Sequence, residues 1–171
     1  MSMHPERNYF QQYKGDCEVF IETGTYKGHG VNLAANAGFK VIRSIDIVLE
    51  GVYIQKPNDC DITLFCGDSP VMLEQILRDV TQKCMFWLDA HSQLFEGEPD
   101  NFPLLRELEV ISQHPRKDHV ILIDDILMMT HPEVTQWSRF MLEEAIRRIN
   151  PMYKIQYLSN PVRNNILLAT V

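Results

Sequence analysis

The sequence predicts a Rossmann-like α/β fold built on a doubly wound sheet. Three observations carry that expectation. Strand-like and helix-like patterns alternate along the chain. The first five strand-like runs are nearly all apolar, as parallel strands covered on both faces should be. Each of those runs also leads into an acidic residue: Glu22, Asp46, Asp68, Asp89 and Asp125, with Asp124 beside the last.

The elements follow in order. Val19-Phe20-Ile21 is a short strand that runs into the turn Glu22-Thr23-Gly24-Thr25-Tyr26-Lys27-Gly28-His29-Gly30. A helix is expected from about Gly30 to Ala37, closed by Gly38. Val41 to Ile45 and Ile62 to Cys66 are the second and third strands. Ser69-Pro70 reads as a helix start, with serine as N-cap and the helical period continued by Met72, Leu73, Ile76, Leu77 and Val80. Met85 to Leu88 is the fourth strand, and the polar segment Ser92 to Asn101 is an expected loop. Leu104, Leu105, Leu108 and Ile111 mark an amphipathic helix stopped by Pro115. Val120 to Ile123 is the fifth strand; Val134, Trp137, Met141, Leu142, Ala145 and Ile149 then give one long helix stopped by Pro151. Tyr153 to Leu158 and Ile166 to Thr170 close the chain. The turn between them is too short for a crossover helix, so this pair should be antiparallel.

The bulk properties bound the function. The 171 residues read as one domain, with residues 1–16 as an N-terminal extension. No apolar run approaches the roughly 18–20 residues needed to cross a bilayer, and no apolar stretch follows the charged start. A cytoplasmic protein is the expectation. The net charge of −7 argues against a nucleic-acid partner, because such affinity comes largely from phosphate neutralisation. Arg139, Arg147, Arg148, Lys154 and Arg163 read as a solvated helix face. Cys17, Cys60, Cys66 and Cys84 show no metal-ligand rhythm and are expected to be structural, with Cys66 and Cys84 buried as reduced thiols. Tyr9, Phe10 and Tyr13 of the extension either pad the sheet or cover the pocket.

In open α/β sheets ligands bind outside the carboxyl ends of the strands. Five strands delivering carboxylates to that edge predict a site there. Acidic residues also make good turns and N-caps, which accounts for any one of them, Asp68 with Ser69 above all. The first turn places glycines where backbone can approach a ligand. It is not the G-x-G-x-x-G dinucleotide fingerprint. Asp46 ends the second strand, 22 residues after Gly24, where a carboxylate can accept both hydroxyls of a ribose.

E-T-G-T-Y-K-G, the acidic end of the second strand, G-D-S after the third and the closing hairpin together resemble a class I methyltransferase, over nearly the whole chain. E-T-G-x-x-x-G followed by L-D-A and I-D-D is similar to the macrocin-type sugar O-methyltransferases, and F-W-L-D-A-H-S to the FkbM-like group. The resemblance implies the strand order 3-2-1-4-5-7-6 with an antiparallel last strand. It also implies S-adenosylmethionine as cofactor and a small-molecule hydroxyl, sugar or phenol-like, as acceptor. Glu22 and Gly24 would flank the methionine end, Asp46 would hold the ribose, and Asp68 with Ser69 would face the adenine. Thr25, Tyr26 and Gly28 of the first turn, and Asp89, complete the expected cofactor site.

The fourth and fifth strands are neighbours in a doubly wound order, about 4.8 Å apart. Asp89, Asp124 and Asp125 should therefore converge, unless one of the fifth-strand pair caps the next helix and the other faces solvent. Two unpaired charges at 4 Å repel by roughly 4 kcal/mol at an effective dielectric of 20. A hard divalent cation such as Mg²⁺ would relieve that, and would fix and acidify an acceptor hydroxyl. The resembled family tends to carry a second acidic residue two positions after the first, where this chain has His91. Asp89 and His91 are the candidate catalytic residues, and His91 is a general base, a metal ligand or a polar residue of the rim. Phe95, Glu96, Glu98 and Asp100 lie in the following loop, a candidate lid or an acidic surface segment.

Other readings remain open at this stage. One is a non-catalytic domain that binds the cofactor or another nucleotide. D-A-H also occurs in arginase-like metallohydrolases, but Gln93 stands at their next ligand position and the chain is short for that fold. A nicotinamide dehydrogenase is disfavoured by the first turn and by the antiparallel ending. Oligomeric state is open, with a homodimer as one option.

Overall fold

The computed structural model describes residues 5–55, 57, 59–91, 102–160 and 162–171. The expected loop from Ser92 to Asn101, with Gln93 and its four candidate lid residues, lies outside the described residues.

Thirteen elements are assigned among them. They are α1 (Pro5–Tyr13), β1 (Val19–Thr23), α2 (His29–Asn36), β2 (Val41–Asp46), β3 (Asp61–Cys66), α3 (Ser69–Asp79) and β4 (Cys84–Leu88). After these come α4 (Leu104–Gln113), β5 (Val120–Ile123), α5 (Ile126–Met129), α6 (Arg139–Ile149), β6 (Lys154–Leu158) and β7 (Ile166–Thr170). The seven strands form one sheet in the order β3-β2-β1-β4-β5-β7-β6. β7 is antiparallel to both β5 and β6, and the remaining pairs are parallel. This is the order and strand polarity expected.

The apolar strands alternate their side chains between two cores. Ile21, Phe86, Leu88, Ile121 and Ile123 face α3, α4 and α6, with Leu73, Leu108 and Leu142 from those helices. Phe20, Met85, Trp87 and Leu122 face the opposite way, toward Phe10 of α1 and Val31 and Ala34 of α2. Phe10 is fully buried, its ring 4.8 Å from Phe20 and 5.1 Å from Trp87 by centroid. Phe10 of the extension therefore pads the sheet.

Three local expectations are corrected. The long helix expected from Val134 begins at Arg139. Ser138 is its N-cap, accepting from the Met141 amide, while the Thr135 hydroxyl accepts from the Trp137 amide and holds the preceding segment in a turn. Ser69 is inside α3 and Asp68 is the N-cap, although the Asp68 side chain makes no capping bond. Cys66 is exposed because β3 is the edge strand, half open along its length; Cys17, Cys60 and Cys84 are buried, and all four are free thiols. The arginine-rich face of α6 is solvated as expected: Arg147 pairs with Glu143 at 3.0 Å and Arg139 lies over the Tyr157 ring.

No helix among the described residues is long and apolar enough to cross a membrane.

Candidate cofactor site and active site

The parallel register carries the strand ends to a common edge. Thr23 stands beside Ile45 and Leu88, and Leu88 beside Ile123. Backbone hydrogen bonds continue one residue past the strands: Gly24 N–H to Ile45 C=O (2.8 Å), Asp89 N–H to Thr23 C=O (3.0 Å), Asp124 N–H to Leu88 C=O (3.1 Å) and Gly67 N–H to Asp46 C=O (2.9 Å). The acidic residues therefore emerge from a braced line.

The first turn is set by close approaches. Gly24 has φ +91°, and a Cβ there would lie 2.5 Å from the Asp89 carbonyl oxygen. Only glycine lets the turn after β1 press against the end of β4. Gly28 is the N-cap position of α2. A Cβ on Gly30 would fall 1.8 Å from Glu22 Oε1, so the missing side chain makes room for that carboxyl.

Glu22 is buried. It accepts from Ser44 Oγ (2.5 Å), and Ser44 Oγ also bonds Thr25 Oγ1 (2.6 Å). Burial pushes the Glu22 carboxyl up to about 8; nearby Asp46 adds to the rise and the Ser44 hydrogen bond opposes it. Glu22, Thr25 and Gly28, expected at the cofactor, thus build and brace the turn from behind.

A cavity of about 530 Å³ opens at this edge. Of the expected cofactor residues, Gly24, Tyr26, Asp46, Asp68, Ser69 and Asp89 line it. Asp46 Oδ2 accepts from the Tyr26 amide (2.7 Å) and Oδ1 from the Val48 amide (3.2 Å). These bonds orient the carboxylate and leave lone pairs on both oxygens. Ile45 and Ile47 add apolar wall beside it. Asp68 pairs with Arg106 of α4 at 2.7 Å.

Ser69 Oγ donates to Glu107 Oε1 at 2.5 Å. Sequence reasoning did not single out Glu107. It falls among the apolar positions of α4 and is almost fully buried beneath the cavity. Burial pushes its carboxyl up to about 7, against the Ser69 hydrogen bond. The Thr23 hydroxyl lies close enough to favour the ionised form, yet makes no hydrogen bond of good geometry. An acidic residue on the face of a helix that otherwise buries leucine and isoleucine was the available signal.

The structure brings together Asp89, His91 and Asp125, one ligand-capable atom of each lying within 4.8 Å of the others. His91 Nε2 is 3.1 Å from Asp125 Oδ2 and 3.6 Å from Asp89 Oδ1. Asp124 is not part of this group, contrary to expectation. Its Oδ1 accepts from the Asp125 amide (2.8 Å) and from Asn160 Nδ2 (3.0 Å), and it is buried near Asp89. The correction has a backbone cause: Asp125 adopts φ +51°, ψ 34°, which turns successive carboxylates in different directions. Burial, with Asp124 nearby, holds the Asp89 carboxyl well above the usual carboxylate range, and His91 opposes the rise. The His91 hydrogen bond holds Asp125 below it, helped by one from Asn165, while burial opposes.

Two carboxylates and an imidazole suit a divalent cation. The imidazole moves the preference from Mg²⁺ toward Mn²⁺ or another first-row transition metal. An S-adenosyl group also fits the donor set, with Asp46 as acceptor for a diol and an apolar wall beside it.

The sheet order, the antiparallel β7 and the site at the carboxyl edge define the class I methyltransferase fold. Among solved structures, CalS10, an amino pentose methyltransferase from Micromonospora echinaspora bound to S-adenosylmethionine, matches at TM-score 0.64 and 11% identity; 99% of this chain covers 92% of that one. The O-methyltransferase TomG from Streptomyces achromogenes, in complex with S-adenosylmethionine, matches at TM-score 0.61 and 14% identity over 98% of this chain and 79% of that one. The mycinamycin-pathway methyltransferase MycE, solved with Mg and S-adenosylhomocysteine, matches at TM-score 0.61 and 15% identity over 97% of this chain. The chain spans about half the length of MycE, 48%. These likenesses establish a shared fold. No protein-family model and no curated protein matches the sequence.

Proposed function

We propose that the chain is an S-adenosylmethionine-dependent methyltransferase acting on a hydroxyl of a small molecule, with a divalent cation held by Asp89, His91 and Asp125. One observation carries the cofactor reading. Asp46, Asp68, Asp89 and Asp125 line the cavity, and no lysine or arginine does so among the described residues, Arg106 reaching it only through its pair with Asp68. A dinucleotide would bring its pyrophosphate into that wall of carboxylates; a sulfonium brings positive charge and no phosphate. The S-adenosylmethionine-bound CalS10 and TomG, and MycE with its Mg, support the same reading.

The residues divide the work. Asp46, held by two backbone amides, accepts both ribose hydroxyls. Ile45 and Ile47 exclude water beside it, and the Asp68-Ser69 turn faces the base. S-adenosylmethionine supplies a methyl group on cationic sulfur, open to displacement by an oriented oxygen. Asp89, His91 and Asp125 would hold a divalent cation, which would supply Lewis acidity toward that oxygen. A second reading makes His91 the base that takes the hydroxyl proton without a metal, with Asp125 orienting it. The 3.1 Å bond between His91 Nε2 and Asp125 is the orienting contact of that reading, which makes Nδ1 the nitrogen that would take the proton. Activity that survives exhaustive chelation selects this second reading.

The test of the cofactor is calorimetric titration of Asp46→Ala beside the wild type. Each charge-assisted hydrogen bond is worth about 1.5–3 kcal/mol. Losing even one weakens S-adenosylmethionine binding by roughly tenfold or more, with the variant's fold intact by circular dichroism. Equal affinity in the two proteins would remove Asp46 from the site and the reading with it.

A further inference from the structure

The fifth strand ends in two adjacent aspartates; Asp124 lies near enough to act on Asp89, but Asp125 is the one that brings a carboxylate oxygen within 4.8 Å of ligand atoms of both His91 and Asp89. The segment between β6 and β7, at the same edge, makes that choice. Asn165, almost fully buried just before β7, uses three groups at once. Its Nδ2 donates to Asp125 Oδ1 (2.9 Å), its Oδ1 accepts from the Leu127 amide (3.1 Å), and its carbonyl accepts from the Ile126 amide (2.9 Å). These bonds clamp residues 125–127 while Asp125 is in the left-handed region, which non-glycine residues rarely adopt. Oδ2 of Asp125 is then left to meet His91 Nε2 at 3.1 Å. Asn160 does the opposite for Asp124, holding its Oδ1 at 3.0 Å.

We propose that Asn165 is a positioning residue which presents Asp125, and not Asp124, to the cation site. This rests on the metal reading of Asp89, His91 and Asp125 given above. An asparagine suits the task because one planar amide offers a donor to the carboxylate and an acceptor to a backbone amide. Leucine at this position has a similar size and offers neither. The anchor is firm: Ile166, the next residue, pairs with Leu158 inside the sheet.

The test is Mn²⁺ titration followed by electron paramagnetic resonance on the wild type, Asn165→Leu, Asn165→Ser and Asn160→Leu, with S-adenosylmethionine affinity and Tm measured on each. Outer-shell partners of metal ligands typically change metal affinity by about 10–100-fold. Asn165→Leu is expected to weaken Mn²⁺ by that much while S-adenosylmethionine affinity stays within about twofold. Asn160→Leu should leave Mn²⁺ affinity near the wild-type value. If Asn165→Leu does not fold, Asn165→Ser decides, since it shortens the side chain and keeps a hydroxyl; a clear loss of Mn²⁺ affinity supports the role and none overturns it. Unchanged Mn²⁺ binding in Asn165→Leu, or parallel losses of metal, cofactor and Tm, also overturn it. A wild-type chain that binds no Mn²⁺ defeats the metal reading itself, a result distinguishable from failure of Asn165 alone.

Discussion

Replacing Glu22 by glutamine should change how stability depends on pH, in a direction the buried turn dictates. The Glu22 carboxyl sits between the Ser44 hydroxyl and the Cα of Gly30, and burial is the largest influence on it. Its pKa is about 8 in the fold, against an ordinary value of 4.5. Between those values the folded chain keeps a proton that the unfolded chain has released. Stability from this group is therefore complete below about pH 4.5 and is lost as pH rises toward 8. At 1.36 kcal/mol per pH unit the loss between pH 5 and pH 8 is about 3 kcal/mol. Glutamine fills the same space and does not titrate. Urea unfolding of wild type and Glu22→Gln at pH 5, 6.5 and 8 should show the variant gaining on the wild type by about that amount. Taking the difference between the two proteins cancels groups they share, including Glu107 and His119. A pH-independent difference, or one that shrinks as pH rises, would refute the assignment of Glu22 as a buried acid.

Three further expectations follow from other parts of the molecule. His119 is fully buried, and burial lowers its pKa to about 4, so its contribution is present above about 6.5 and lost as pH falls toward 4. Because its Nδ1 accepts from the Cys84 amide, nitrogen NMR at neutral pH should find the proton on Nε2, donated to His114 Nδ1; the other tautomer would contradict this hydrogen-bond assignment. Gly24→Ala should destabilise the chain by about 1–3 kcal/mol in chemical denaturation and weaken S-adenosylmethionine binding, since its Cβ meets the Asp89 carbonyl. An alanine as stable as the wild type would show that the turn is not pressed against β4. Mn²⁺ should bind more tightly than Mg²⁺, with the preference narrowed in His91→Ala; equal preference in both proteins would remove the imidazole from the ligand set.

Much of the fold was legible because strand hydrophobicity and helix period are local signals. The closing hairpin could be read from the shortness of the segment between β6 and β7. The start of α6 was misread because Val134 and Trp137 keep the helical spacing, while the hydroxyls of Thr135 and Ser138 hold the backbone out of helix before Arg139. The site edge was legible in the run of carboxylates after the strands. Which carboxylate does what was not. Spacing treats Asp124 and Asp125 alike, and their separation depends on a left-handed backbone and on two asparagines 36 and 40 residues further on. Glu22 lies inside β1 and not in the turn it was expected to open, and its carboxyl is tied to Ser44 on the neighbouring strand. Glu107 hid within an amphipathic helix, where its contact with Ser69 spans 38 residues.

The central claim is that the acidic cavity at the strand ends holds S-adenosylmethionine. Calorimetric titration of the wild-type chain with S-adenosylmethionine, and separately with NAD⁺, tests it most directly. Saturable micromolar binding of S-adenosylmethionine with no measurable heat from NAD⁺ is the predicted result. NAD⁺ binding in place of S-adenosylmethionine, or no binding of either, would contradict the account.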